Sequence, residues 1–225
     1  MSKRKDKSDY VKESFHEYKE RVIDPISKSY CAAKWYNATI WLGHGQTTSC
    51  HHPPGHWIPV DELKDNYTAI HNTQHKKKVR KMMLEGERPQ ECEYCWKVED
   101  MGRNNLSDRI LKTEIFSDEA IKQSTIDPWD ADATLRTLEI SFDRACNFAC
   151  SYCNPAFSST WVKDIKDNGP YTNIQSDGRG HFTDTAPWAA RASKSEDDNP
   201  YIQAFWKWWE NGLSDTLEEL SLIHI

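Results

Sequence analysis

Seven cysteines are the residues of this 225-residue chain best suited to chemistry, and their spacing divides them into two groups. Cys146-Asn147-Phe148-Ala149-Cys150-Ser151-Tyr152-Cys153 is a C-x3-C-x2-C run with three thiols inside eight residues. On a regular helix, steps of four and three would string these thiols along one stripe, whereas a loop can wrap them around a compact cluster. Three thiolates leave one iron of a four-iron cubane open to an outside ligand. A structural zinc site closes with four protein ligands, and the next histidine, His181, lies well beyond this loop. The remaining cysteines are Cys31, Cys50, Cys92 and Cys95, a set of four that suits a closed iron–sulfur or zinc site. Thirteen residues separate Cys31 from Gly45, four more precede Cys50, and Cys92-x2-Cys95 opens a helix whose N-terminal dipole favours thiolates.

The elements that must hold these residues can be read from periodicity. Residues 1–30 are charged and read as a solvated helix or a partly disordered extension. Trp35 to Leu42 is rich in β-branched and aromatic residues and reads as a strand or hairpin, with Gly43-His44-Gly45 as its turn. Lys76 to Glu85 reads as a helix burying Val79, Met82 and Met83, with its Lys76–Lys81 run facing water and Gly86 closing it. Leu138-Glu139-Ile140-Ser141-Phe142 alternates as a strand, and the C-x3-C-x2-C loop follows it directly. A helix from Ala156 to Ile165, a long polar insertion over 166–200, a Trp-rich helix from Ile202 to Glu210 and a second strand from Leu217 to Leu222 complete the pattern. Strand, helix, strand implies a parallel pair, and the thiol loop stands at the carboxyl end of its first strand, where α/β sheets build sites. His51, His52 and His56 read as solvated loop residues, since four cysteines already complete a site; Phe205, Trp206, Trp208 and Trp209 read as core or interface.

In the C-x3-C-x2-C loop the chain resembles the radical S-adenosylmethionine (radical SAM) superfamily, whose motif follows the first strand of a full or partial (β/α) barrel and carries an aromatic residue before its third cysteine. The resemblance implies that Cys146, Cys150 and Cys153 hold a [4Fe-4S] cluster whose open iron chelates S-adenosyl-L-methionine, and that Tyr152 packs near the adenine. It further implies an electron donor such as flavodoxin or ferredoxin. The C-x13-G-x4-C and C-x2-C arrangement, together with the segment KKVRKMMLEGERPQECEYCWKVEDMG, resembles the SPASM and twitch auxiliary-cluster modules of such enzymes. That implies a second [4Fe-4S] cluster on Cys31, Cys50, Cys92 and Cys95, and, because related modules occur in peptide-modifying maturases, a peptide substrate. The module usually follows the barrel; here it precedes it. The expected fold is α/β: an N-terminal Cys-rich auxiliary-cluster module followed by the first βα units of a partial (β/α) barrel. The expected segments are a charged extension over 1–30, the module over 31–110, a connector over 111–136 and the barrel start over 137–225. No Gly-Gly-Glu segment follows the second strand, so the chain reads as a truncated piece of a longer enzyme.

Composition narrows the alternatives. A net charge of −6 argues against a general nucleic-acid binder. No window holds the roughly 18 apolar residues of a membrane helix, and the charged N-terminus has no secretory h-region. A cytoplasmic, reducing location is expected, where seven cysteines point to metal binding rather than disulfides. Two other functions fit the cysteines: a zinc-bound four-cysteine interaction module and a simple electron-transfer iron–sulfur protein.

Overall fold

The computed structural model describes residues 13–102, 104–143, 145–155, 158–171, 173 and 198–222. Ser14 opens α1 (Phe15–Tyr18) with a capping box completed by Glu17, and a π turn over Lys19–Ile23 extends it. The short α2 (Ala33–Tyr36) runs straight into β1 (Asn37–Trp41), and a turn over 42–45 returns the chain as β2 (Gln46–Thr48) and β3 (His56–Trp57). Then come α3 (Val60–Asp65), a 3-10 turn over Tyr67–Ile70 and α4 (Gln74–Leu84), which Thr73 caps by accepting from Lys76 N–H. A 3-10 turn, Gln90–Cys92, leads into α5 (Glu93–Asp100), followed by α6 (Asp108–Glu114) and the Ser117-capped α7 (Asp118–Ile126). The last part holds β4 (Thr137–Ser141), α8 (Ser159–Asn168), α9 (Pro200–Trp208), α10 (Ser214–Thr216) and β5 (Glu219–Leu222). Most of the expected insertion, residues 172 and 174–197, lies outside the described residues, as do 1–12 and 223–225.

The architecture is mixed α/β. Five strands form one sheet in the order β3-β2-β1-β4-β5. β4 and β5 are parallel, from Thr137↔Glu219 to Ile140↔Leu222, as the strand–helix–strand pattern requires. The hairpin of β1 with β2 is antiparallel. Periodicity gave no sign that β1 would also pair with β4, in parallel, from Asn37↔Thr137 to Trp41↔Ser141. One sheet therefore joins segment 31–110 to segment 137–225.

The pleat divides residues between two faces. Ala38, Ile40, Leu138 and Ile140 are buried against Ile202, Phe205 and Trp208 of α9. The opposite face carries Asn37, Thr39, Thr137 and Glu139, with the Thr39 hydroxyl donating to the Glu139 carboxylate at 2.8 Å. A second core lies among the helices, where Trp35, Tyr36, Trp96, Ile110, Phe116 and Ile121 pack together.

Two expectations are corrected. Residues 13–30 are not a solvated extension: Tyr18, Ile23 and Tyr30 are buried in the helical core, and the Tyr30 hydroxyl meets Ser124 Oγ at 2.5 Å. The Lys76–Lys81 run does not simply face water, because Lys76, Lys77 and Arg80 are buried. Each has found polar partners, which is the condition for burying a charge. Lys76 Nζ donates to Thr47 Oγ1 at 2.9 Å, Lys77 pairs with Asp132 at 2.5 Å, and Arg80 Nε donates to the Lys34 carbonyl at 2.9 Å. No helix among the described residues is long and apolar enough to cross a membrane.

Two glycines with positive φ provide a stability test. Gly45 has φ +70 and lies under Tyr201, into whose ring a Cβ would run; Gly86 has φ +81 with nothing within 4 Å. Gly45→Ala should cost about 2–4 kcal/mol through backbone strain and overpacking, and Gly86→Ala about 1 kcal/mol through strain alone. Urea unfolding of the two variants checks this.

Candidate functional site

The three-thiol loop leaves the carboxyl end of β4 and is tied down by the start of α8. Ser158 is the N-cap of that helix, accepting from Trp161 N–H, and its hydroxyl donates to the Phe148 carbonyl at 2.8 Å. Ser159 Oγ accepts from Cys146 N–H at 3.0 Å and donates to the Cys146 carbonyl at 3.1 Å, and Thr160 Oγ1 donates to that same carbonyl at 2.5 Å. Trp161 Nε1 donates to the Cys150 carbonyl at 3.1 Å. These bonds hold the backbone of the loop and leave its thiols half-exposed. The thiols influence one another: burial, with Cys146 and Cys150 nearby, pushes the Cys153 thiol up. Tyr152 is 90% exposed and hydrogen-bonds Cys150, which raises its phenol. Of this cradle only the cysteines were marked by spacing, and Tyr152 by the resemblance. Ser158, Ser159, Thr160 and Trp161 were missed, although a serine pair ahead of an apolar helical stretch is a legible cap signal.

Cys31, Cys50, Cys92 and Cys95 come from three separate segments and line one cavity. Cys31 precedes α2, Cys50 follows β2, Cys92 is the N-cap of α5, and Cys95 lies in its first turn. Burial pushes the Cys31 thiol up to about 12 and the Cys92 thiol up to about 11, with Cys50 adding to both. Among the described residues no three cysteine sulfurs lie within 4.8 Å of one another. A tetrahedral zinc, with Zn–S near 2.3 Å, draws its sulfurs to about 3.8 Å. The four thiols are therefore set wider than a single-zinc cage.

Bases surround this cavity. Lys34 lines it and is buried, paired with Glu91, whose other oxygen meets His75 Nε2 at 2.6 Å. Arg109 also lines it, held by Glu99 at 2.6 and 2.9 Å and by the Tyr30 carbonyl at 2.9 Å. Behind Lys34 lie Lys76 and Arg80, with His71 Nδ1 3.2 Å from Lys76 Nζ and His71 Nε2 2.8 Å from the Trp35 carbonyl. Arg80 Nη2 lies 3.1 Å from the same His71 Nε2.

The two thiol sets occupy opposite ends of the sheet. β2 runs antiparallel to β1 with Thr39 opposite Thr48, so Cys50 lies level with Asn37, at the starting end of β1. Cys146 follows the finishing end of β4, which is parallel to β1. A five-residue strand, about 16 Å long, lies between these ends.

The loop histidines are not simply solvated. His52 lines the four-cysteine cavity, stacks on Tyr94 with ring centroids 3.8 Å apart, and meets Asp108 Oδ2 at 2.8 Å. His56 is 3.0 Å from Thr73 Oγ1. No family model, curated protein or solved structure matches this chain.

The buried histidines have a measurable consequence. Burial, with Lys76 and His75 nearby, pushes His56 down to about 3, and burial beside Lys76 and Arg80 drives His71 well below its usual 6.5. The folded state keeps both rings neutral, whereas the unfolded chain protonates them near pH 6.5. The unfolded state therefore binds more protons below that pH, and stability falls as pH drops. Between about pH 6.5 and 5, above the carboxylate range, the urea midpoint should fall, and His56→Gln should remove roughly half of that slope.

Proposed function

We propose that this chain is a radical SAM protein with an auxiliary iron–sulfur site, and that β1, β4 and β5 are the opening strands of a partial (β/α) barrel. The observation that carries this reading is the spatial division of the cysteines: three on one loop at the carboxyl end of β4, four around a separate cavity. Cys146, Cys150 and Cys153 would hold a [4Fe-4S] cluster with one iron left open, which would supply the electron for reductive cleavage of S-adenosylmethionine to methionine and a 5′-deoxyadenosyl radical.

In this reading Cys146, Cys150 and Cys153 are the ligands, and the bonds from Ser158, Ser159, Thr160 and Trp161 hold their backbone in place. Tyr152, exposed beside them, is available to lie against the adenine. Cys31, Cys50, Cys92 and Cys95 complete a closed second site. The bases around it suit a bound group of net negative charge, since Lys34 and Arg80 are buried and keep their charge, while burial beside them drives Lys76 well below its ordinary value. Substrate and electron donor belong to the same proposal, as an unidentified molecule, with a peptide the first class to test, and a small flavin or iron–sulfur protein.

Anaerobic reconstitution of the chain with iron and sulfide, followed by iron counting and EPR of the reduced state, tests the reading. About eight irons are expected, with a spectrum that changes on adding S-adenosylmethionine. Cys146→Ala should leave about four irons and abolish the response; Cys92→Ser should leave about four and keep it. Zinc alone, with no iron retained, overturns the proposal.

A further inference from the structure

We propose that His51, His52 and Asp108 form a site for one divalent transition-metal ion, distinct from both cysteine sets. The inference stands on the geometry of these three residues and does not depend on iron at the cysteines.

One ligand atom from each residue lies within 4.8 Å of the other two. His52 Nε2 is 2.8 Å and His51 Nε2 is 3.5 Å from the same Asp108 Oδ2. Both imidazoles thus turn the same nitrogen toward one carboxylate oxygen, and an ion among them would gain two nitrogen donors and one oxygen. The donors come from two anchored places. The histidines sit on the loop after β2, next to Cys50. Asp108 is the first residue of α6, where the preceding Ser107 hydroxyl meets Glu99 at 2.5 Å. The Tyr94 ring stacks 15° from parallel on His52 and fixes its plane.

Two cavities meet at this point. His52 and Asp108 line the cysteine cavity, whereas His51 lines a groove of about 470 Å³ along the polar face of the sheet. Asn37, Thr39, Thr137 and Glu139 form the floor of that groove. The ion's remaining coordination positions therefore open toward the groove, where water or a small ligand with an oxygen donor can reach them. Two imidazoles and one carboxylate with open positions suit zinc, iron(II) or cobalt(II) better than calcium or magnesium, which prefer all-oxygen shells.

Lys112 is the neighbour that must adjust. Its Nζ lies 3.3 Å from His51 Nδ1, an arrangement that puts the ring proton on Nε2, facing Asp108. Metal binding takes that place, the ring proton moves to Nδ1, and the Lys112 ammonium turns to solvent.

The test is titration of the full chain with cobalt(II), after iron loading and also as isolated, followed by absorption spectroscopy. The expected result is one equivalent bound to nitrogen and oxygen donors, seen as weak visible bands, in addition to any cobalt that the as-isolated chain takes up at its free thiols with an intense charge-transfer band. His51→Gln changes an exposed side chain and leaves the fold intact; it should weaken binding about tenfold or more, and Asp108→Asn should do the same. A strong thiolate charge-transfer band as the sole signal, unchanged affinity in both variants, or no binding at millimolar cobalt each overturns the inference. Failure to retain iron would count against the cluster reading alone, because the cobalt spectrum separates thiolate from imidazole ligation in either preparation.

Discussion

Parallel pairing of β1 with β4 is the constraint on which the rest of this molecule depends. It brings Thr39 and Glu139, a hundred residues apart, into hydrogen-bonding contact, and it sets the register from Asn37 to Trp41. A slip of one residue would turn Ala38 and Ile40 to the polar face and Asn37 and Thr39 into the α9 core. The same pairing fixes where the two thiol sets lie. Because β1 and β4 point the same way, the chain entering β1 and the chain leaving β4 emerge at opposite ends of the sheet.

Charge is the second organising force. A cavity lined by four thiols sits against Lys34 and Arg109, with Lys76 and Arg80 further in. Glu91 and Glu99 each neutralise one of these cations directly. Lys76 and Arg80 are instead held by neutral partners, a threonine hydroxyl, an asparagine carbonyl and backbone oxygens. Interior positive charge without a direct carboxylate is costly, and an anionic group in the adjoining cavity would offset it. Burial meanwhile pushes the Cys31 and Cys92 thiols up, so without a bound group the cavity holds them as neutral thiols.

Local patterns were readable and long-range ones were not. The alternation of Leu138 to Phe142 located β4, and the Gly43-His44-Gly45 turn located the hairpin, because both signals come from neighbouring residues. Spacing divided the cysteines into the same three and four that the fold separates. The β1–β4 pair was invisible, since parallel partners carry no turn signature. The buried bases of α4 were misread for a related reason: three lysines in a row look solvated until the partners, Thr47, His71 and Asp132, are known. The early segment around Tyr18 and Tyr30 looked like an extension because its apolar residues are sparse, yet Tyr18, Ile23 and Tyr30 are buried in the helical core. His52 looked dispensable because four cysteines already completed one site; its partner Asp108 lies on a different element.

The β1–β4 pairing also has a consequence for synthesis on the ribosome. β1 leaves the exit tunnel flanked by β2 alone, and its other side waits for β4, a hundred residues later. At a translation rate of about 5–20 residues per second, that wait lasts on the order of 5–20 s. Cys50, Cys92 and Cys95 are made within it, as are the helices from α3 to α7, whereas Cys31 and α2 precede β1. A nascent chain in this state presents an unpaired β1 edge beside a nearly finished helical half, so vectorial synthesis exposes one particular strand to wrong partners. Protection of that strand, by a chaperone or by early closure of the helical half, is what the order of the elements demands.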